Sequence, residues 1–204
     1  VHERFAHQLT MAGLYLHIPF CVKKCDYCDF TSFPSSGGVP EEYVDALIRE
    51  IDLVAREWEY PASFDTVFFG GGTPSLLTGN QMYRILEALR ARFSIANDAE
   101  YSMECNPGTA TRDNLAEYYS AGINRLSVGL QSSYDELLRS IGRIHTFAQF
   151  IETLQYARVA GFSNINVDVM HGLPGQTMKQ YLDTLETVCD LEVKHISSYS
   201  LILE

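Results

Sequence analysis

The chain has 204 residues, 46% of them hydrophobic and 20% charged, which is typical of one folded domain with a substantial core. Its 26 acidic and 15 basic residues give a formal net charge of −11, which argues against a nucleic acid or an anionic membrane as partner. No apolar run approaches the ~20 residues of a membrane-spanning helix, and no segment reads as a signal peptide. The cysteines are odd in number and three lie within eight residues, which predicts a reducing, cytoplasmic location rather than a disulfide framework.

Short β-branched or aromatic runs alternate along the chain with amphipathic helical patterns. Most of these runs are apolar throughout, which indicates parallel strands covered on both faces by helices. The predicted strands are Leu14–Ile18, Thr66–Phe69, Tyr101–Glu104, Arg125–Leu130, Ile165–Met170 and Ile196–Leu203. Four of the predicted helices are Glu41–Trp58, Gln81–Phe93, Asp113–Ala121 and Met178–Asp190. Two more are predicted after the fourth strand, and the second of these begins at Thr146 and stops at Gly161.

Six such units of about 32 residues each fill the chain from Leu14 onwards. A closed eight-unit barrel typically needs ~250 residues, so we predict an α/β fold, a partial (β/α)6 barrel over residues 14–204. The chain stops at Glu204 directly on the sixth strand, which indicates a fragment of a longer protein. Residues 1–13 are predicted to be an N-terminal extension or a tag, because ten residues precede Met11.

The strongest chemical signal is a group of three cysteines on the loop after the first strand. Cys21, Cys25 and Cys28 are spaced by four and three positions, and soft thiolates select zinc or an iron–sulfur cluster. A structural zinc site takes four ligands, so His17 or Cys105 would have to be recruited by the fold. A cubane held by three cysteines instead leaves one iron open. The loop lies at the carboxyl end of a strand, where such barrels build active sites.

Polar groups also stand at the ends of other predicted strands. Phe69-Gly-Gly-Gly-Thr-Pro-Ser75 ends the second strand, and its glycines let the backbone approach a ligand closely. Glu104 ends the third strand, and Gln131 follows the fourth. Asp168 lies inside the fifth strand, where a charge is costly unless it meets a ligand or a cationic partner. Arg143 is a candidate to bind a carboxylate, although a buried structural ion pair would give the same pattern for Asp168 and for Arg143.

The remaining candidate residues are expected to have structural roles. His17 is expected to pack or hydrogen-bond near the cysteine loop rather than to bind metal. Cys105 and Cys189 are predicted to be ordinary buried thiols. Tyr118 and Tyr119 are predicted to pack their helix against the core.

The segment Tyr15-Leu-His-Ile-Pro-Phe-Cys-Val-Lys-Lys-Cys-Asp-Tyr-Cys28 resembles the opening motif of radical S-adenosylmethionine (SAM) enzymes, in the branch related to oxygen-independent coproporphyrinogen III oxidase. The resemblance implies a 4Fe–4S cluster on the three cysteines, with an open iron that chelates the amino and carboxylate groups of SAM. Reduction of that cluster cleaves SAM to methionine and a 5′-deoxyadenosyl radical. The matched positions imply SAM contacts by Tyr15, Tyr27, Gly71, Gly72, Thr73, Glu104, Gln131, Arg143 and Asp168. The resemblance also implies that the family's C-terminal domain, with its heme-associated motif, is absent.

Two functions are compatible with this resemblance. One is a heme chaperone, which carries heme as cargo, takes electrons from a low-potential donor protein and delivers heme to a receiving protein. The other is the oxidase, which converts propionate side chains of coproporphyrinogen III to vinyl groups. The oxidase branch has a further cysteine two positions after the third ligand, where this chain has Phe30, and it has a longer N-terminal segment. Both departures favour the chaperone, with heme or a porphyrin as partner.

Overall fold

The computed structural model describes residues 11–58 and 63–201. Residues 1–10 of the predicted extension and the last residues of the sixth predicted strand lie outside the described ranges. The strands within those ranges are β1 Met11–Ile18, β2 Phe20–Cys21, β3 Phe33–Pro34, β4 Ser63–Gly71, β5 Ile95–Cys105, β6 Arg125–Gln131, β7 Asn164–His171 and β8 His195–Ser200. The helices are α1 Glu41–Glu57, α2 Gly79–Arg92, α3 Arg112–Ala121, α4 Asp135–Ser140, α5 Phe147–Ala160 and α6 Met178–Asp190.

Six of the strands form one parallel sheet in the order β1-β4-β5-β6-β7-β8. Neighbours in the sheet are joined through helices, as parallel pairing requires. Within the described residues β8 does not pair with β1, so the sheet stays open. This arrangement confirms the predicted α/β partial barrel of six units. The ribbon of β2 with β3 was not predicted, because two-residue strands have no periodicity to detect.

The helices begin and end where their sequences favour it. Thr78, Thr146 and Thr177 each form a capping box with a glutamine three positions later, at the starts of α2, α5 and α6. Helices α3 and α5 end at Gly122 and Gly161, both with left-handed φ angles that glycine adopts without strain. Among the helices of the described ranges, none combines the length and hydropathy that crossing a membrane requires.

The two faces of the sheet differ, so the prediction of strands that are apolar throughout is wrong for part of the sheet. One face contributes residues such as Val67 and Met103 to the main core beneath the helices. The other face has polar side chains that pair across strands. Asn166 Nδ2 donates to Ser127 Oγ at 2.7 Å, and Ser197 Oγ donates to Asn166 Oδ1 at 3.0 Å. Such neutral groups tolerate burial when each finds a partner.

Several local predictions have outcomes in the described residues. Strand β1 begins at Met11 rather than Leu14, and β5 begins six residues before Tyr101. Cys105 is buried as expected. Cys189 is exposed, so its prediction as a buried thiol is wrong. It directly follows the buried Val188 on α6, and one residue along a helix rotates a side chain by about 100°, away from the core stripe.

Tyr118 gives a direct test of the core. Its ring is fully buried on α3, and its hydroxyl proton is shared between the carbonyls of Ser75, at 3.2 Å, and Leu77. We expect Tyr118→Phe to lower the free energy of unfolding by about 1–3 kcal/mol, because buried acceptors lose their donor. Tyr119→Phe is the matched control, since Tyr119 is 44% exposed and contacts Phe162 through its ring. Urea denaturation measures both, and equal losses would contradict the assignment.

Candidate functional site

The cysteine loop, residues 21–34, leaves the sheet after β1 and is closed at its base by the ribbon of β2 with β3. Inside the loop the Cys28 N–H donates to the Cys25 carbonyl at 3.1 Å, which forms a turn between these two thiols. Thr73, on the loop after β4, donates from Oγ1 to Cys21 Sγ at 3.4 Å. The backbone therefore gathers three thiols on one small loop that also contacts the neighbouring loop.

A second segment, residues 141–145, holds the cysteine loop from the other side. The Asp26 N–H donates to the Ile141 carbonyl at 3.2 Å, and Arg143 Nη1 lies 3.8 Å from Cys25 Sγ. Gly142 has a φ of +73°, and a Cβ there would lie within 3 Å of the Asp26 carboxylate. The close approach of these two segments therefore requires glycine at this position.

Gly71, the last residue of β4, and Gly72, which follows it, are required by the packing of the protein itself. Gly71 has a φ of +110°, and a Cβ there would lie 2.6 Å from the His17 ring. A Cβ on Gly72 would lie 2.7 Å from the Phe20 carbonyl oxygen. The sequence suggested close approach to a ligand, whereas the structure shows close approach to β1 and β2. Contact of this segment with a ligand stays a prediction.

Glu104, at the end of β5, is half-buried close to this glycine segment. Its Oε2 accepts a hydrogen bond from the Gly71 N–H at 3.0 Å. Burial raises the pKa of Glu104 to about 7, with a further increase from the negative charge of Asp168, while the Gly71 N–H opposes the rise. The side chain can thus exchange a proton near neutral pH and can accept a cationic group.

Asp168 on β7 is held by neutral donors rather than by a cation. Its Oδ1 accepts from Asn166 Nδ2 at 2.8 Å, and its Oδ2 accepts from Ser127 Oγ at 3.2 Å. Burial raises the pKa of Asp168, and these hydrogen bonds and the charge of Arg125 oppose the rise. No ion pair to Asp168 occurs in the described part of the chain, so the ion-pair alternative is wrong there. Neighbouring side chains on the polar face of the sheet donate hydrogen bonds to its carboxylate oxygens instead.

Arg143 likewise lacks a carboxylate partner in the ranges described. Its Nη2 donates to the Gly129 carbonyl at 2.7 Å and to Asn106 Oδ1, and its Nη1 faces Cys25 Sγ. Its Nε–H is buried and has no hydrogen-bond partner. The guanidinium is therefore fixed beside a thiol while keeping an unused donor, and the ion-pair alternative for Arg143 is wrong as well.

Tyr27 and Tyr199 lie beside this guanidinium. Burial raises the pKa of the Tyr27 phenol to about 12, although the positive charge of Arg143 lowers it. Tyr199 on β8 donates to Gln131 Oε1 at 2.8 Å. Burial, Tyr27 and the charge of Asp168 all raise the pKa of Tyr199, so both phenols keep their protons at neutral pH.

Gln131 is in a strained backbone conformation at the end of β6. Its φ is +72°, a region that residues other than glycine rarely adopt. The pairing of β6 with β7 shifts register between Gly129 and Gln131, and the displaced Leu130 carbonyl accepts from His145 Nε2 at 3.2 Å. Such strain persists where surrounding contacts fix it, often at functional sites. Here it accompanies an amide that is buried at the end of the strand.

Tyr15 connects β1 to the cysteine loop through His17. The His17 Nε2 lies 2.8 Å from the Thr31 carbonyl, which can only accept, so Nε2 carries the proton. In the neutral imidazole Nδ1 then accepts from the Tyr15 hydroxyl at 3.1 Å. The Tyr15 side chain is 60% exposed, and its ring stacks on Phe68. The expected hydrogen bonding of His17 near the cysteine loop is confirmed.

Every predicted site residue except Arg143 lies on the carboxyl half of a sheet strand or on the loop that follows it, and Arg143 lies between α4 and α5. Asn106 and Tyr199 were missed. Asn106 follows β5 directly and so obeys the strand-end pattern that identified Gln131. No sequence signal marked Tyr199, since tyrosine is common in strands.

The residues present fit an iron–sulfur cluster with an amino-acid ligand. Three buried side-chain atoms without a partner occur in the described ranges, Ser32 Oγ, Arg143 Nε and His145 Nδ1, and they belong to the cysteine loop or to residues 141–145. Unsatisfied buried groups are costly and call for an explanation such as an absent ligand.

Comparison with known sequences identifies relatives along almost the whole chain. Residues 15–188 match the model of the Radical SAM superfamily. The chain is 41% identical to the heme chaperone HemW of Escherichia coli strain K12 over 97% of its length, and 37% identical to HemW of Bacillus subtilis strain 168 over 95%. It spans 52% and 51% of those relatives, so it corresponds to about half of each.

Comparison with solved structures agrees with the sheet topology. Coproporphyrinogen III oxidase (HemN) from Escherichia coli superposes with a TM-score of 0.84 at 32% identity, over 94% of this chain and 44% of that one. Methylornithine synthase (PylB) superposes with a TM-score of 0.66 at 11% identity, over 95% of this chain and 54% of that one. The second similarity concerns the fold alone.

Glu104 predicts a pH dependence of stability. Its pKa is about 7 in the folded protein against an ordinary value of 4.5 for glutamate, so the folded state keeps a proton that the unfolded state releases. The ligand-free protein should therefore lose stability as pH rises from about 4.5 to about 7. At ~1.4 kcal/mol per pKa unit, the loss approaches roughly 3 kcal/mol.

Urea unfolding at pH 5 and pH 8 measures this loss. Glu104→Gln should remove most of the difference between the two pH values, because the amide does not titrate. Glu186→Gln, at an exposed position on α6, should keep it. A wild-type difference that persists in Glu104→Gln would refute this source for it.

Proposed function

The chain belongs to the Radical SAM superfamily, and on this premise we propose that Cys21, Cys25 and Cys28 hold a 4Fe–4S cluster beside bound SAM. The observation that carries the proposal is the meeting of the cysteine loop with a half-buried guanidinium and a half-buried carboxyl at one end of a parallel sheet. Three cysteine ligands leave one iron for SAM. When bound, the cluster supplies the single electron for reductive cleavage of SAM.

The amino-acid part of SAM has a positive and a negative end, and the site has a complement for each. Glu104 accepts hydrogen bonds and sits beside the Gly71 N–H, so we assign it the amino group, together with Gly71, Gly72 and Thr73. Arg143 keeps a buried N–H without a partner, so we assign it the carboxylate. Binding of the ammonium group favours the ionised form of Glu104, which then releases the proton that it holds near pH 7.

The remaining four residues are proposed to contact the nucleoside part of SAM and the surroundings of the cluster. Asp168 and Gln131 offer side-chain oxygens or amide groups to hydroxyl and amine groups. Tyr27 is packed against a small apolar cluster beside the cysteine loop, and Tyr15 presents an exposed ring at the same end of the sheet. These aromatic rings would exclude water from the reduced cluster.

We propose that the complete protein is a heme chaperone located in the cytoplasm. HemW proteins from several bacteria resemble this chain at 35–41% identity, and position 30 has phenylalanine instead of the extra cysteine of the oxidase branch. All five cysteines are free, which suits a reducing compartment. A low-potential electron donor and a heme-receiving protein are the partners that this role requires.

A second function, oxygen-independent coproporphyrinogen III oxidase, is favoured by one observation. The structure superposes on HemN with a TM-score of 0.84 at 32% identity. Because the match covers 44% of that enzyme, it concerns the shared barrel and leaves substrate recognition open.

The ligand assignment predicts the iron content of cysteine variants. After anaerobic reconstitution with iron and sulfide, Cys21→Ala, Cys25→Ala and Cys28→Ala should each lose the brown charge-transfer absorbance and most of the bound iron. Cys189→Ala removes an exposed thiol and should keep the wild-type spectrum. Retention of wild-type iron by any of the first three variants would exclude that cysteine as a ligand.

The two functions predict different behaviour with porphyrins. The reconstituted full-length protein should bind heme, monitored by its Soret absorbance, and should not convert coproporphyrinogen III in the presence of SAM and a reductant. Conversion of coproporphyrinogen III would overturn the chaperone proposal. The Cys25→Ala variant is the control, since any turnover that persists without the cluster cannot be radical SAM chemistry.

A further inference from the structure

Asn106 directs its side chain at Arg143 while its backbone is fixed by other contacts. The Asn106 N–H donates to Ser75 Oγ at 3.1 Å, and the Asn106 carbonyl accepts from Thr109 Oγ1 at 2.7 Å. The side-chain Oδ1 accepts from Arg143 Nη2. The local loop is therefore held without the amide group, and the amide is available for a separate role.

The guanidinium of Arg143 is planar, so fixing one of its nitrogens limits where the others point. Nη2 is fixed by two acceptors, the Asn106 amide oxygen and the Gly129 carbonyl. With Nη2 in place, Nη1 lies 3.8 Å from Cys25 Sγ and Nε stays buried without a partner. Two anchors, one directly after β5 and one on the neighbouring strand β6, thus orient one positive charge beside a proposed cluster ligand.

We infer that Asn106 is a positioning residue that holds the Arg143 guanidinium against Cys25 Sγ and thereby raises the reduction potential of the cluster and the affinity for SAM. The inference rests on the proposed function, because it concerns the cluster that these thiols would hold. A nearby positive charge and hydrogen bonds to the ligating sulfur stabilise the more negative, reduced cluster. Partners that orient the residues around a metal site typically contribute 10–100-fold to affinity or activity.

The choice of an amide at position 106 follows from electrostatics. An aspartate would also accept from Nη2, but its charge would cancel much of the guanidinium field at the sulfur. A neutral amide oxygen holds the guanidinium without cancelling that field. Asn106→Asp should therefore keep Arg143 in place and still move the potential to a more negative value.

The potential of the reconstituted protein tests the inference. An EPR-monitored redox titration should give a more negative midpoint for Asn106→Ala, in the same direction as Arg143→Ala. The double variant should equal Arg143→Ala alone, because Asn106 acts through Arg143. Asn97→Ala, at the exposed opposite end of β5, should leave the midpoint unchanged. An unchanged midpoint in Asn106→Ala, or additive shifts in the double variant, would overturn the inference.

A second readout does not need the cluster. In the cluster-free protein, side-chain 15N NMR should show separate Nη signals for Arg143, which exchange faster in Asn106→Ala because only the Gly129 carbonyl then holds Nη2. An exchange rate that is unchanged in Asn106→Ala would overturn the positioning role. Failure of the wild-type protein to assemble a cluster would instead refute the proposed function, so the two failures are distinguishable. Dialysis should show about tenfold weaker SAM binding to reconstituted Asn106→Ala.

Discussion

Parallel pairing of six strands is the constraint on which the site depends. Because all six run in one direction, each loop that follows a strand emerges at the same edge of the sheet. Cys25 and Arg143 are 118 positions apart in the chain and still meet there, as do Gly71 and Glu104 across 33 positions. A change of direction in a single strand would place its functional group at the opposite edge.

The half-buried charges at this edge are satisfied without neutralising one another. Glu104 accepts a hydrogen bond from a backbone N–H, and Asp168 accepts hydrogen bonds from a serine and an asparagine side chain. Arg143 donates to a side-chain amide oxygen and to a backbone carbonyl. Ion pairs between Arg143 and these carboxylates would also stabilise the charges. Such pairs would, however, occupy the acceptor and the donor that a zwitterionic ligand needs. Neutral partners lower the cost of burial while the charges stay available.

The sequence predicted the six strand–helix units and most helix ends because those depend on local pattern, and it proposed most of the candidate site residues from where the strands end. Glu104 and Gln131 were found by one rule, a polar residue where a buried strand ends. Asn106 obeys the same rule, yet its role depends on the Arg143 side chain, and such a pairing is set by sheet register rather than by spacing. The polar face of the sheet was also missed, because it depends on strand register in the same way. Asn166 and Ser127 are compatible with burial only as cross-strand partners.

Residues 141–145 link the cysteine loop to the strained end of β6. Arg143 donates to the Gly129 carbonyl and His145 donates to the Leu130 carbonyl, so two consecutive carbonyls at the register shift receive donors from this one segment. Burial and the charge of Arg143 lower the pKa of His145 to about 3, which keeps it neutral and leaves one N–H for that carbonyl. The conformation of Gln131 and the place of the guanidinium beside Cys25 are therefore supported together, and neither can shift without disturbing the other.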